Sequence, residues 1–424
     1  GRLYCLSDRA GWWMPYAFDQ DSAPHPNHGT DRCRADARGQ VAHGSTPSPT
    51  GRGLGRGADS IPPLLSIQGA DHAPAPWQLG ACTYLPLEHG GFLLSRFERG
   101  FGVLVECDSD GRERRLASDF TRFRSLAADA AYFYCIAAAP DRLPAVLAIR
   151  RSDGEVNLLA GGERPLPEER LARPEPLDFA TGRDEIAHGF FYRPLGDCEK
   201  PPLVMFLHGG PTSACYPVFD PRIQFWTHRG FAVVDLNYRG SSGHGRAYRQ
   251  RLRGAWGLVE VEDIRAAIAF LAGEGRIDPD KVFVRGASAG GYSALLALAR
   301  IAGLRGGASL YGVSDPLALR CATHKFEADY LDWLIGDPAR DAGRYRERTP
   351  LLQAERIAAP TIFFQGGLDA VVVPQQTERM VAALRERGVP VEYRCYPDER
   401  HGFRQAAHIA DALEREWRFY HALL

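Results

Sequence analysis

The segment KVFVRGASAGGYSALLALA (281–299) constrains this chain more than any other. A short β-branched run, Val282–Arg285, leads into Gly286-Ala287-Ser288-Ala289-Gly290 and then directly into an apolar helical pattern. A chain passes from buried strand to buried helix in so few residues only through a tight turn, and small residues on both sides of Ser288 let the backbone close on itself. Such a turn lifts the serine hydroxyl above a sheet edge, and the helix N-terminus behind it favours a developing negative charge. The competing reading is a glycine-rich turn with an incidental serine.

What surrounds this segment fits an open sheet. From Asp184 onward the runs PPLVMFLHG, FAVVDLNY, VFVRGAS, GGASLYG, PTIFFQG and VEYRCYP alternate with helical patterns at 260–273, 290–302, 376–388 and 404–423. Near-continuous apolar strands alternating with helices predict a mostly parallel sheet buried on both faces. The preceding residues have another texture. Residues 1–18 alternate apolar and polar about a turn at Asp8–Gly11, as a β-hairpin does, and 77–177 carry short strand-like runs separated by Gly/Asp turns, as in a β-meander. Between them, 20–69 is a Gly, Pro, Ser, Arg, Asp and His stretch with no apolar period, predicted to be irregular or disordered. Its Arg/Gly/Pro/Ser bias suggests a reading-frame or gene-model error. Two regions are therefore expected, 1–180 and 181–424.

A serine hydroxyl needs a base, and the base needs an orienting acid. PTIFFQGGLDAVVVP puts Asp369 just past a buried strand, and YRCYPDERHGF puts His401 in the loop after the last one. The order Ser288, Asp369, His401, with all three at strand C-termini, matches nucleophile, acid and base on an open α/β sheet. Asp398 competes with Asp369 but lies three residues from His401 and suits a turn, while His408 is a poorer alternative base. LVMFLHGGP ends a further strand in His208-Gly209-Gly210-Pro211, a turn that can offer a backbone N–H to an oxyanion. Gly210 and Ala289 are the expected donors.

Other readings are weaker. Gly240-Ser241-Ser242-Gly243-His244-Gly245 resembles a dinucleotide turn but lacks the acidic partner after a second strand. GRGLGRG (51–57) resembles a phosphate loop but follows no strand and lacks the Lys-Ser/Thr ending. Trp12, Trp13, Trp226 and Trp333 read as packing residues. Nine scattered cysteines without a C-x-x-C spacing fit neither a zinc site nor a disulfide framework, so a cytoplasmic protein is expected. A net charge of −1 recruits neither nucleic acid nor an anionic membrane, and no apolar run is long enough to span one. The start at Gly1-Arg2-Leu3, without Met, reads as an internal one.

Residues 184–424 resemble the prolyl oligopeptidase family of serine peptidases, in its acylaminoacyl-peptidase-like and dipeptidyl-peptidase-like branches. The resemblance rests on LHGGP, GASAGG, GGLD, RHGF, NYRGSSGHGRAYR, GLVEVEDIRAAIAFL, and YGVSDPLAL with THKFEADYLDWLIG. The step between Asp369 and Pro374 is one residue longer than in many relatives. The resemblance implies an α/β-hydrolase fold preceded by a partial β-propeller-like region, hydrolysis of short peptides through an acyl-enzyme, and no metal or cofactor. It also implies a substrate pocket involving Tyr292 and the 311–336 stretch. An unclosed propeller would leave strand edges that favour self-association and would weaken selection by peptide length. A carboxylesterase or lipase on the same fold, and a non-catalytic binding remnant, are the alternatives.

Overall fold

The computed structural model describes residues 2–8, 11–19, 69–74, 82–88, 90–323 and 325–424. The stretch expected to be irregular, 20–69, lies outside them except for Gly69, as does GRGLGRG.

The N-terminal region is antiparallel. Strands β1 (Arg2–Ser7) and β2 (Met14–Asp19) form a hairpin about the expected turn. Next come β3 (Tyr84–Pro86), β4 (Phe92–Glu98), β5 (Phe101–Cys107) and β6 (Glu113–Leu116), a four-stranded meander. A second meander follows: β7 (Arg122–Ala128), β8 (Tyr132–Ala139), β9 (Arg142–Arg150) and β10 (Val156–Gly161). The alternation of β8 drives its packing, since Phe133, Cys135, Ala137 and Ala139 all turn inward. They meet Leu93, Leu104 and Leu116 of the first meander in one core. Each meander has the size of a propeller blade, and propellers close with at least four. Two are present among the described residues.

The remaining strands build one eight-stranded sheet. They are β11 (Glu175–Thr181), β12 (Glu185–Tyr192), β13 (Leu203–Leu207), β14 (Ala232–Asn237), β15 (Val282–Ala287), β16 (Gly306–Leu310), β17 (Thr361–Gly366) and β18 (Val391–Tyr396). Their spatial order is β11-β12-β14-β13-β15-β16-β17-β18. β12 runs antiparallel to β11 and β14, and every pairing from β14 to β18 is parallel. β11 and β12 were not anticipated. β11 joins the sheet from Glu175, a few residues before the boundary read near 180.

The helices are α1 (Pro221–Thr227), α2 (Gly245–Gln250), α3 (Val259–Gly273), α4 (Ala289–Arg300), α5 (Pro316–Ala322), α6 (Tyr330–Leu334), α7 (Ala342–Glu347), α8 (Pro374–Glu386) and α9 (Ala406–His421). The two-residue period of β13 divides them into layers. Leu203, Met205 and Leu207 pack with Ile264 and Leu271 of α3, Leu295 and Leu298 of α4, and Met380 of α8. Val204 and Phe206 face the other way, against Ile223 and Trp226 of α1 and Phe419 and Tyr420 of α9. This is the α/β-hydrolase arrangement, a sheet covered on both faces. The chain lays down β14 on one side of β13 and β15 on the other, so strand order reverses beside β13, where open α/β sheets form crevices.

The two regions are tied by the loop that resembled a dinucleotide turn. The Asp71 carboxylate accepts hydrogen bonds from Trp13 N (2.8 Å), Gly243 N (3.2 Å) and Gly245 N (2.9 Å). The glycine loop thus offers its N–H groups to an acid of the same chain. Trp226 is fully buried, as a packing residue should be.

Candidate active site

At the end of β15 the backbone turns sharply. Ser288 has φ 55° and ψ −121°, a conformation that costs a side-chain-bearing residue about 1–3 kcal/mol. Its neighbours over-determine it: Ser288 N donates to Leu310 O (3.0 Å), and Ser288 O accepts from Tyr292 N (3.1 Å). The glycines of the motif have steric reasons. A Cβ on Gly286 would lie 2.2 Å from the backbone of Gly290, and one on Gly290 would lie 2.0 Å from Leu207 O. β15, α4 and the end of β13 can converge only where side chains are missing.

His401 follows β18 and reaches back over this turn. Its Nδ1 lies 2.8 Å from Asp369 Oδ2, and its Nε2 lies 2.9 Å from Ser288 Oγ. A carboxylate only accepts, so Nδ1 carries the proton and Nε2 accepts from the serine hydroxyl. The Tyr311 ring packs edge-on against the imidazole, with centroids 5.0 Å apart. Asp369 is 4 % exposed. Its Oδ1 accepts from Val371 N and Val372 N (both 2.9 Å), and Oδ2 also receives Gln365 Nε2 at 3.3 Å. The longer step from Asp369 to Pro374 therefore folds back as a turn onto the carboxylate.

The rival residues lie elsewhere. Asp398 receives Gln405 Nε2, and His408 Nδ1 contacts Glu399 Oε1 (3.1 Å). Glu399 caps the following segment by accepting from Arg404 N and Gln405 N.

Gly210, with φ 51°, and Ala289, the first residue of α4, line the same cavity as Ser288. The first N–H groups of a helix have no intrahelical acceptor, so that of Ala289 is free of the helix ladder. Sequence reasoning gave His208 no function beyond its motif. Its Nδ1 meets Gly209 O (3.0 Å) and its Nε2 meets Ser241 Oγ (2.7 Å), while the ring stacks on Tyr238. Burial pushes its pKa down to about 4, so it is a neutral brace for the 208–211 turn. Gln365 was also missed, although a glutamine in the apolar run TIFFQG is itself a signal that a buried polar group has a partner.

The cavity holds about 440 Å³ and is mostly apolar, with Trp256, Val313, Leu319, Leu331, Leu334 and Val372 in its wall. Residues of the 311–336 stretch line this cavity, but Tyr292 does not. Its side chain is fully buried beneath the strand-to-helix elbow at Ser288, stacked on Trp256, with its hydroxyl on Arg348 O (2.9 Å). The reading of Tyr292 as a pocket residue is corrected. One turn into α4, its side chain points under the helix rather than past Ser288.

Comparison with known proteins follows the same lines. Residues 217–424 match the model of the prolyl oligopeptidase family. Dipeptidyl aminopeptidase BIII of Pseudoxanthomonas mexicana is 29 % identical over 267 residues, covering 60 % of this chain and 39 % of that protein. Among solved structures, a puromycin hydrolase is 31 % identical with a TM-score of 0.87, covering all of this chain and 60 % of that one. A puromycin-hydrolyzing peptidase of Mycobacterium tuberculosis is 32 % identical with a TM-score of 0.86 and the same coverage. The chain spans less than two thirds of the length of these relatives.

Proposed function

Because residues 217–424 are a domain of the prolyl oligopeptidase family, we propose that the chain is a serine peptidase that hydrolyses short peptides through an acyl-enzyme. The observation that carries this reading is the unbroken hydrogen-bonded series Ser288 Oγ, His401 Nε2, His401 Nδ1 and Asp369 Oδ2, at 2.9 and 2.8 Å. His401 takes the hydroxyl proton as Oγ attacks the scissile carbonyl, and Asp369 holds the tautomer and balances the imidazolium. The N–H groups of Gly210 and Ala289 receive the oxyanion, a contribution of about 10²–10³ in rate for a single donor. His401 then protonates the leaving amine, and water releases the acyl group by the same steps. No step draws on a metal or cofactor.

The apolar cavity beside Ser288 suits a large apolar residue on the acyl side of the scissile bond. The relatives' names, a dipeptidyl aminopeptidase and puromycin hydrolases, point to small amide substrates of the same class. We assign a cytoplasmic setting on the free thiols of Cys82, Cys107, Cys135, Cys198, Cys215, Cys321 and Cys395. Among the described residues no helix is long and apolar enough to cross a membrane.

A chromogenic anilide and the matching ester of one acyl group, a bulky apolar aminoacyl residue, separate peptidase from esterase. Both are expected to be turned over, with release of the acyl-enzyme common to the two. Turnover of the ester alone would replace the peptidase reading by a carboxylesterase one.

A further inference from the structure

A second cavity, of about 420 Å³, opens beside the first, and Gly209, Ala287 and Tyr311 line both. Its character is different. Arg122, Asp220, Arg222, Asp235 and Arg285 stand in its wall, at the seam between the second N-terminal meander and the α/β sheet. Most of this charge is internally cancelled. Asp220 pairs with Arg222 (2.5 Å), and Arg285 pairs with Glu416 of α9 (2.8 Å). Burial and the nearby Asp220 push the Asp235 carboxyl up to about 7, so it carries only part of its charge at neutral pH.

Arg122 is the cation left over. It opens β7, and its guanidinium lies 4.0 Å from the centroid of the Tyr216 ring. Among the described residues no carboxylate pairs with it, and burial draws its pKa down, an effect that the nearby Tyr216 phenol opposes. The group is held in place, because neighbouring Thr121 donates from Oγ1 to Pro217 O (2.6 Å), fixing the strand against the segment that carries Tyr216. A half-buried guanidinium with no anion is costly by itself, and one that is stacked and oriented is preorganised for a planar two-oxygen partner.

We infer that Arg122 is a specificity residue that binds a carboxylate of the peptide substrate in this second cavity while the scissile carbonyl sits at Ser288. The inference rests on the serine peptidase reading and adds a substrate class to it. A carboxylate reaches the cavity from either of two sources, an acidic side chain or the peptide's C-terminus.

The test uses peptide pairs of one length that differ only in charge: glutamate against glutamine within the peptide, and a C-terminal carboxylate against its amide. For at least one pair, the wild-type protein should prefer the anionic member by about tenfold in kcat/KM, and the pair that responds identifies the source. In Arg122→Gln the ratio within that pair should fall to near one, and Arg122→Lys should keep part of it. Effects on folding act on both members and cancel in the ratio. Should Arg122→Gln not fold, the wild-type ratios and Arg122→Lys carry the test. No charge preference in the wild type, or a preference undiminished in Arg122→Gln, overturns the inference. A small neutral ester assayed alongside keeps the two readings apart. Turnover of ester and peptides without charge preference contradicts the role of Arg122 alone, whereas turnover of nothing contradicts the peptidase reading beneath it.

Discussion

Ser288→Ala is expected to lower kcat by about 10⁴-fold or more on every substrate, with thermal unfolding nearly unchanged. The substitution removes one oxygen, and with it one hydrogen bond to His401 Nε2. It leaves the backbone bonds to Leu310 and Tyr292 in place, and alanine bears the φ of 55° at much the same cost as serine. Loss of activity without loss of stability is the signature of a nucleophile rather than a packing residue. His401→Ala should cost a similar factor, and the double variant little more than either, because the residues act as a unit. A Ser288→Ala protein that kept more than a few per cent of its activity would assign the chemistry elsewhere. The comparison is best made on one peptide anilide, with circular dichroism melts run on the same preparations.

The second large effect is structural. Gly290→Ala would place a Cβ 2.0 Å from Leu207 O and 2.9 Å from His208 O, both backbone atoms that no rotamer change can move aside. The end of β13 and the start of α4 must then separate, which displaces the 208–211 turn together with the elbow. A loss of more than about 4 kcal/mol in stability, or failure to fold, is expected from such a backbone clash. Gly273→Ala is the matched control. It lies at the end of α3 with nothing within 4 Å of its added Cβ, and should be neutral or stabilising by up to about 1 kcal/mol. Urea titrations of the two variants beside the parent measure the difference. Equal stability of both would mean that β13 and α4 do not approach as described.

These two predictions draw on the parts of the molecule that the sequence made legible. The central strands announced themselves because a parallel strand buried on both faces is largely apolar, as Leu203–Leu207 is, while the edge strand β18 was legible from the β-branched and aromatic residues of VEYRCY. β11 was not seen, since only Leu177, Phe179 and Thr181 of EPLDFAT are buried and its other positions are polar or exposed, as at a sheet edge. The elbow was legible because its glycines answer a steric demand local to the sequence. The convergence of Ser288, Asp369 and His401 followed from chain order and strand ends. Tyr292 was misread because its place in the motif carries no information on which way a helical side chain points. The second cavity was out of reach as well, since Arg122 and Asp220 come to line one cavity only through the packing of two regions distant in sequence.

The central claim is that Ser288 is a nucleophile activated by His401, and covalent labelling addresses it directly. In a fluorophosphonate, the serine Oγ displaces fluoride from phosphorus while His401 takes up the hydroxyl proton. Incubation of the intact chain, followed by mass spectrometry of its peptides, should show one phosphonyl adduct, on Ser288, abolished in Ser288→Ala and strongly slowed in His401→Ala. An unlabelled protein, or an adduct carried by another residue, would contradict it.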